Sequence, residues 1–216
     1  MKRIGLLGGS FNPAHGGHRQ LSLAAMKALR LDEVWWLVSP GNPLKGGASD
    51  MASFAARFAS ARLAASHSRI RVSEFENRVG TRYTVDTVRR LLRCCPQYRF
   101  IWLMGADALP DFHKWRNWRG LAALLPIAVL PRPGYGAAAR AARAMGWLAG
   151  FVRPARQARQ WTEWSPPAIL FLRLPTSPQS ATALRALAPN WHRRWNSRVC
   201  NAAVPYPRRH LARSHS

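Results

Sequence analysis

The most informative segment of the sequence lies near the N-terminus and reads Gly8-Gly9-Ser10-Phe11-Asn12-Pro13-Ala14-His15-Gly16-Gly17-His18. It follows a short apolar run, residues 4–7, which is typical of a buried strand entering a tight turn. After the segment the apolar residues fall at positions 21, 24, 25, 28 and 29, which is the spacing of one helix face. The sequence therefore predicts a strand, a glycine-rich turn and a helix in direct succession.

A turn of this kind is suited to binding phosphate. Glycines let backbone N–H groups approach an anion closely, and the N-terminus of the following helix adds a favourable dipole. His15 and His18 are three residues apart, so both can face one side of the first helical turn and stabilise charge that grows on a phosphate. The alternative is an ordinary turn with two surface histidines. A zinc site is disfavoured because the sequence offers no third ligand.

Strands and helices alternate along the rest of the chain. Apolar runs predict strands at residues 34–38, 70–72, 100–104, 127–130 and 168–172. Four further helices are predicted. One has residues 51, 54, 55 and 58 on one face, a second follows Thr84 as its N-cap, and the other two span residues 137–148 and 180–187. The alternation predicts an α/β fold, a Rossmann-like doubly wound parallel sheet in a single domain. The turn after the first strand, the turn at Pro40 and Gly41, and Gly105 would then meet at one edge of the sheet.

Composition bounds the class of protein. A chain of 216 residues can build one α/β domain, and a hydrophobic content of 48% excludes a disordered chain. The N-terminal apolar run is too short for a signal peptide, and the run at 121–130 contains Pro126 and is too short to span a bilayer. The three cysteines have no C-x-x-C spacing, which suggests a reducing compartment. We therefore expect a cytoplasmic protein without a membrane partner.

The net charge of +24 allows two interpretations. One is a nucleic-acid-binding protein, and the other is a basic enzyme for anionic substrates. Residues 131–216 hold 14 basic and 1 acidic residue, against 19 and 8 in residues 1–130, so the excess is densest in the last part of the chain. No basic run is dense enough to form a dedicated arm, which makes a nucleic-acid partner the weaker interpretation.

A second motif lies near the other end of the chain, Ser180-Ala181-Thr182-Ala183-Leu184-Arg185. Hydroxyls and backbone N–H groups at a helix start can bind phosphate oxygens, and Arg185 shares a face with Ala181 and Thr182. Alone the string says little, because serine and threonine are common helix caps. The middle of the chain adds DEVWWLVSPGNPLK at 32–45, RYTVDT at 82–87, WLMGAD at 102–107, FHKW at 112–115, PIAV at 126–129 and RPG at 132–134.

The two end motifs together resemble the signatures H-x-G-H and S-x-T-x-(I/L)-R of the nucleotidyltransferase superfamily. The middle strings are similar to the bacterial nicotinate-nucleotide adenylyltransferase family, and the resemblance covers residues 2–188. It implies transfer of AMP from ATP to nicotinate mononucleotide, which gives nicotinate adenine dinucleotide and pyrophosphate in NAD biosynthesis. A sister adenylyltransferase for nicotinamide mononucleotide or phosphopantetheine, and a nucleic-acid-binding protein on the same fold, stay open as alternatives.

The resemblance also implies site residues. Positive charge for catalysis would come from His15, His18, Lys45 and Arg185. ATP would be bound by Gly8, Gly9, Ser10, Phe11, Gly105, Asp107, Ser180, Thr182 and Arg185. Nicotinate mononucleotide would be bound by Asn12, Lys45, Thr84, Trp115 and Arg116. Mg²⁺ is expected on the phosphates of ATP, and no metal site made by protein side chains is expected.

The chain departs from the family pattern in two places. Arg116 stands where related enzymes can carry an aromatic residue, and it could add charge for the nicotinate carboxylate. Residues 189–216 lack helical periodicity, so the sequence predicts a nucleotidyltransferase domain over 1–188 and a basic C-terminal tail over 189–216. The sequence leaves the oligomeric state open, a homo-oligomer included.

Overall fold

The structure is a computed structural model that describes residues 1–41, 51–177 and 179–195. Six strands form one sheet in which every neighbouring pair is parallel. They are β1 (Lys2–Gly9), β2 (Glu33–Val38), β3 (Ile70–Ser73), β4 (Tyr98–Gly105), β5 (Ile127–Leu130) and β6 (Ile169–Phe171). Their order across the sheet is β3-β2-β1-β4-β5-β6. The predicted Rossmann-like parallel sheet is confirmed.

This strand order places a crevice at one point of the sheet edge. The chain runs outward from β1 to β3 and then returns to build β4, β5 and β6 on the other side. The strand order therefore reverses between β1 and β4, where connections leave towards opposite faces and ligands bind at the strand C-termini. The glycine-rich turn follows β1 and Gly105 ends β4, so both lie at this switch point.

Helices cover both faces of the sheet. They are α1 (Gly16–Leu29), α2 (Phe54–Ala65), α3 (Phe75–Val79), α4 (Thr84–Cys94), α5 (Trp118–Leu124), α6 (Gly136–Arg140), α7 (Met145–Leu148) and α8 (Ala181–Leu187). Short 3₁₀ helices span Leu109–Lys114, Ala149–Phe151, Ala155–Glu163 and Arg193–Trp195. No helix in the described part of the chain is both long and apolar enough to cross a membrane.

Alternate residues of the strands supply two cores. Ile4 and Leu6 of β1 pack with α4 and α5 on one face, while Leu7 packs with α1 and α2 on the other. Trp35 and Trp36 of β2 divide in the same way. Side chains of neighbouring strand residues point to opposite faces, so strands buried on both sides read as continuous apolar runs. This explains why short, unbroken runs in the sequence identified the strands.

Several local predictions were wrong. Thr84 is the first residue of α4 rather than its cap; Tyr83 holds the cap position, and Thr84 still lies at the helix N-terminus. The helix predicted over 137–148 is two short helices, because the chain turns at residues 141–144 and buries Ala142 and Ala144. Residues 155–163, for which no element was predicted, form a 3₁₀ helix whose Trp161 donates to the Leu29 carbonyl at 2.9 Å.

The buried face of α2 also differs from the predicted one. Residues 51, 54, 55 and 58 were expected on one helix face; Phe54 and Phe58 are half-buried and do pack against the core, but Ala55 is exposed and Met51 precedes the helix. The buried residues are Ala56, Arg57, Ser60, Ala61 and Ala65. An alanine-rich helix gives little apolar contrast between its faces, and a buried arginine reverses the usual signal.

The beginning of the C-terminal tail packs on α2. Trp191 is buried against Ala52 and Ala56, and Trp195 packs beside it. Residues 196–216 lie outside the described residues, so the predicted boundary at 188 stays a prediction.

A buried carboxyl lies near the start of α4. Glu76 on α3 is 7% exposed, and its Oε1 accepts a hydrogen bond from the Thr87 hydroxyl at 3.3 Å. That hydroxyl is 2.9 Å from the Thr81 hydroxyl and also reaches the Tyr83 carbonyl. Burial raises the pKa of Glu76 from 4.5 to about 7, because Thr87 compensates only part of the lost hydration.

We expect Glu76→Gln to change how stability depends on pH. A carboxyl with a raised pKa binds its proton more tightly in the folded state, so its stabilising contribution is complete below pH 4.5 and is lost as pH rises through 7. At pH 8 the wild-type protein buries a charge at a cost of up to about 3 kcal/mol, which the neutral amide avoids. Urea unfolding at pH 5 and pH 8 measures the difference. Parallel pH profiles for the two proteins would contradict this account.

Candidate active site

The turn between β1 and α1 fixes both histidine side chains by hydrogen bonds to the backbone. His15 is the N-cap of α1, and its Nδ1 accepts from the Gly17 N–H at 3.2 Å. The Nδ1 of His18 accepts from the His15 N–H at 3.3 Å. A neutral imidazole carries its proton on the nitrogen that does not accept, so in both rings Nε2 is the donor.

The two imidazoles are neutral in the absence of substrate. Their ring centroids are 4.0 Å apart. Burial lowers the pKa of His15 to about 4, with a further contribution from the positive charge of Arg132. Burial also holds the pKa of His18 well below its usual value, assisted by His15 and by Arg132. In this state the two rings would act as neutral N–H donors, and their predicted role in supplying positive charge to bound phosphate stays a prediction.

Aromatic side chains limit the space at Gly8 and hold the backbone of Phe11 in place. A Cβ on Gly8 would lie 2.6 Å from the Trp102 ring, so glycine is required there by the packing of the neighbouring strand. Phe11 has a φ of 48° and stacks on Trp36, with centroids 5.1 Å apart and planes at 15°. The left-handed region costs a non-glycine residue about 1–3 kcal/mol, so the surrounding packing holds Phe11 in place.

The second motif contacts the first. The Ser180 hydroxyl caps α8 by accepting from the Ala183 N–H at 3.1 Å, so the helix predicted over 180–187 begins one residue later, at Ala181. Arg185 donates from Nη1 to the Asn12 carbonyl at 2.7 Å, and its Nη2 lies 3.4 Å from the Thr182 hydroxyl. The structure thus brings together the two phosphate motifs from opposite ends of the chain.

Gln179 adds a second link between the motifs, which sequence reasoning missed. Its Oε1 accepts from the Gly17 N–H at 3.0 Å, beside the His15 nitrogen that accepts from the same group. Gln179 directly precedes the cap of α8, and no sequence period marks it. Its position next to the Ser180 motif is the one signal that could have identified it.

The ends of β4 and β5 add an acidic and a basic side chain. Asp107 follows β4 and is 45% exposed, and its Oδ1 lies 3.5 Å from Nε of Arg132, which follows β5. A Cβ on Gly105 would meet the Asp107 carboxylate, so glycine allows Asp107 to fold back over the strand end. Arg132 was not among the predicted site residues. The RPG string directly after a predicted strand was the available signal.

One residue predicted for the pyridine ring lies beside the start of α4. The Arg116 guanidinium lies over the Tyr83 ring at 4.6 Å from its centroid, and Tyr83 directly precedes Thr84. Trp115 is half-buried and packs edge-on against Phe112 and Trp102, with centroids 5.4 and 6.4 Å away. The binding of a nicotinate ring by Thr84, Trp115 and Arg116 stays a prediction.

Two predicted residues require separate mention. Lys45 lies outside the described residues. Asn12 is 4% exposed, and its Oδ1 accepts from the Ala52 N–H at 3.2 Å, so its side chain has a partner inside the protein. A role for either in binding nicotinate mononucleotide stays a prediction. Within residues 1–41, 51–177 and 179–195, no three His, Cys, Asp or Glu side chains come together in a way that could hold a metal ion.

We expect Arg132→Gln to raise the pKa of both His15 and His18. The substitution removes a positive charge that disfavours the imidazolium, while burial, the larger cause, keeps both values below 6.5. Nitrogen-15 NMR of the imidazoles measures the titrations and shows which nitrogen carries the proton. Arg90→Gln on the exposed side of α4 is the matched control for loss of one charge. A wild-type His15 that titrates near 6.5 would refute the neutral-donor description.

Comparison with known proteins agrees with this geometry. The family model described as cytidylyltransferase-like matches residues 6–200. A protein of Erythrobacter litoralis named probable nicotinate-nucleotide adenylyltransferase is 54% identical over 90% of this chain and 89% of its own length. A protein of Gluconobacter oxydans with the same name is 51% identical over 85% and 93%. The fold is similar to that of a Plasmodium falciparum nicotinic acid mononucleotide adenylyltransferase complexed with APC, with a TM-score of 0.61 at 15% identity over 86% of this chain and 83% of that one. The chain belongs to the nicotinate-nucleotide adenylyltransferases of the cytidylyltransferase-like family.

Proposed function

We propose that this protein transfers AMP from ATP to nicotinate mononucleotide, forming nicotinate adenine dinucleotide and pyrophosphate in the cytoplasm. The observation that carries the proposal is the contact between the two phosphate motifs, in which Arg185 binds Asn12 and Gln179 binds Gly17 beside the histidine pair. The names of the similar proteins support the same reaction. One further structure with this fold, also from Plasmodium falciparum, is described as a complex with NaAD.

The reaction is a single in-line displacement at phosphorus. A phosphate oxygen of nicotinate mononucleotide attacks the α-phosphorus of ATP, a new P–O bond forms, and the bond to the bridging oxygen of pyrophosphate breaks. The protein supplies position and N–H donors rather than a nucleophile. The Nε2–H groups of His15 and His18 can bind oxygens of the transferring phosphate, and the charge of Arg132 lies close enough to lower the pKa of both rings.

Mg²⁺ belongs to this proposal as part of the substrate MgATP. The side chains around the turn are imidazole and guanidinium groups, which can donate to phosphate oxygens and offer none of the oxygen ligands that Mg²⁺ prefers. The metal would neutralise charge on the triphosphate while it is held by phosphate oxygens and water. The residues present therefore fit a phosphate-bound ion.

The acid form of the mononucleotide fits the pyridine site better than the amide. The N-terminus of α4 offers backbone N–H groups and the positive end of the helix dipole, and Arg116 adds a full charge next to it. A carboxylate gains from both, whereas a neutral amide gains little from the charge. We therefore extend the proposal to a preference for nicotinate over nicotinamide mononucleotide.

The activity itself is the first expected result. Purified protein with MgATP and nicotinate mononucleotide should release pyrophosphate and form the dinucleotide, detected by chromatography. His18→Ala should lower kcat by about a hundredfold, because a preorganised donor to the transition state is lost while ATP still binds. Folded wild-type protein that forms no dinucleotide over a range of pH and Mg²⁺ would contradict the proposal. A near-normal kcat for His18→Ala would remove His18 from the catalytic residues.

Substrate choice gives an independent test. We expect the kcat/KM of the wild-type protein to favour nicotinate over nicotinamide mononucleotide, and Arg116→Ala to reduce that ratio by about tenfold. An exposed charge-assisted hydrogen bond is worth about 1.5 kcal/mol, the lower end of its range. Arg119→Ala is the matched control, because Arg119 is also exposed and stacks on aromatic rings, those of Trp118 and Trp147. Equal use of the two mononucleotides by the wild-type protein would contradict the preference and leave adenylyl transfer standing.

A further inference from the structure

A buried arginine lies behind the phosphate-binding turn. Arg57 on α2 is 1% exposed, and all three guanidinium nitrogens donate to backbone carbonyls. Its Nε donates to Ala52 at 3.0 Å, Nη1 to Ser10 at 2.8 Å and to Ser39 at 2.7 Å, and Nη2 to Pro40 at 3.0 Å. Its guanidinium also lies 5.6 Å from the centroid of the Phe54 ring.

The charge of Arg57 is balanced by carbonyl dipoles. Among the ion pairs of the described residues, none involves Arg57. Burying an arginine without a carboxylate is costly unless its donors are satisfied, and here four carbonyls accept from four of its five N–H groups. Burial lowers the pKa of Arg57, although an arginine stays protonated near neutral pH. The fold therefore keeps a positive charge directly behind a turn that faces anionic substrates.

The four carbonyls belong to three separate segments that meet at the site. Ser10 is in the phosphate-binding turn, Ser39 and Pro40 follow β2, and Ala52 precedes α2. The Ala52 N–H in turn donates to the Asn12 side chain, which closes a ring of contacts back to the turn. One planar side chain thus sets the positions of the turn after β1, the turn after β2 and the start of α2.

The bond to Ser10 also orients the next peptide group. In a trans peptide the C=O and the following N–H point in opposite directions. Because Arg57 binds the Ser10 carbonyl, the Phe11 N–H is directed away from Arg57 and α2. Phe11 is the residue with a φ of 48°, so its unusual backbone is held on one side by Arg57 and on the other by the stack on Trp36.

We propose that Arg57 is a positioning residue for adenylyl transfer, which sets the backbone of the phosphate-binding turn through the Ser10 carbonyl and joins that turn to the segment after β2. The inference rests on the proposed function for its effect on turnover. Arg57 does not touch substrate, because its donors are occupied by protein carbonyls. Lysine cannot replace it, because one ammonium group cannot reach carbonyls that are bound by three different nitrogens.

The test compares Arg57→Lys, which keeps the charge, and Arg57→Met, which removes it, with Arg90→Met as the control for loss of one exposed charge. Each protein is assayed well below its own Tm for kcat, for the KM of both substrates, and for the Kd of ATP by calorimetry. We expect both Arg57 variants to lower kcat/KM by tenfold or more on folded protein, and to shift the imidazole NMR signals of His15 and His18. The Arg90→Met protein should match the wild type in all of these.

The outcomes separate this inference from the proposed function. Turnover by the wild-type protein tests the proposed function. The shift of the His15 and His18 imidazole signals in the Arg57 variants tests the role of Arg57, even if the wild-type protein does not turn over the mononucleotide. If either folded Arg57 variant keeps kcat and KM within twofold of the wild type and leaves the chemical shifts of the imidazole signals unchanged, the inference is overturned. Failure of both variants to fold would also overturn it, because Arg57 would then support the fold as a whole.

Discussion

The turn between β1 and α1 is held by hydrogen bonds from elements that are distant in the sequence, so the geometry of the site depends on these bonds. A phosphate-binding turn has to keep its donors in place when no phosphate is present. Here Arg57 of α2 donates to the Ser10 carbonyl, Arg185 of α8 donates to the Asn12 carbonyl, and Phe11 is stacked on Trp36 of β2. These contacts come from three separate elements, so the donor geometry exists only when the sheet is complete. Preorganisation of this kind removes reorganisation from the reaction step.

The placement of charge around this turn differs from simple attraction of anions by cations. The pKa values of His15 and His18 are lowered by burial and by the charge of Arg132, which favours neutral imidazoles in the free protein. The permanent charges are the guanidinium groups of Arg57, Arg132 and Arg185. Under the proposed function, the arginines would supply a constant positive potential and the imidazoles would supply directional donors. An arriving phosphate anion would favour the imidazolium form and offset part of the effect of burial.

The sequence predicted the elements that depend on local pattern and missed those that depend on distant contacts. The strand, turn and helix at residues 4–29, the helix after Ser180 and the strands at the crevice were correct, because glycine spacing and apolar runs are local signals. The buried face of α2 and the role of Arg57 were missed, since an arginine in an alanine-rich helix is normally assigned to the surface. Gln179 and Arg132 were missed because their partners are distant in sequence. Thr84 was misplaced by one residue, which is the usual uncertainty of a helix boundary.

The two phosphate motifs differ in how firmly they are attached to the core: the turn between β1 and α1 lies between core elements, whereas α8 is attached by polar contacts. No residue of α8 is buried, and the helix is joined to the turn by the polar contacts of Arg185 and Gln179. Elements with few buried apolar contacts open at low free-energy cost, whereas β1 and α1 belong to the central core. A ligand that contacts both motifs would therefore gain by fixing α8 against a preformed turn. The binding of ATP would then strengthen the contact between α8 and the turn without disturbing the histidine pair, whose side chains are held by backbone N–H groups at the start of α1.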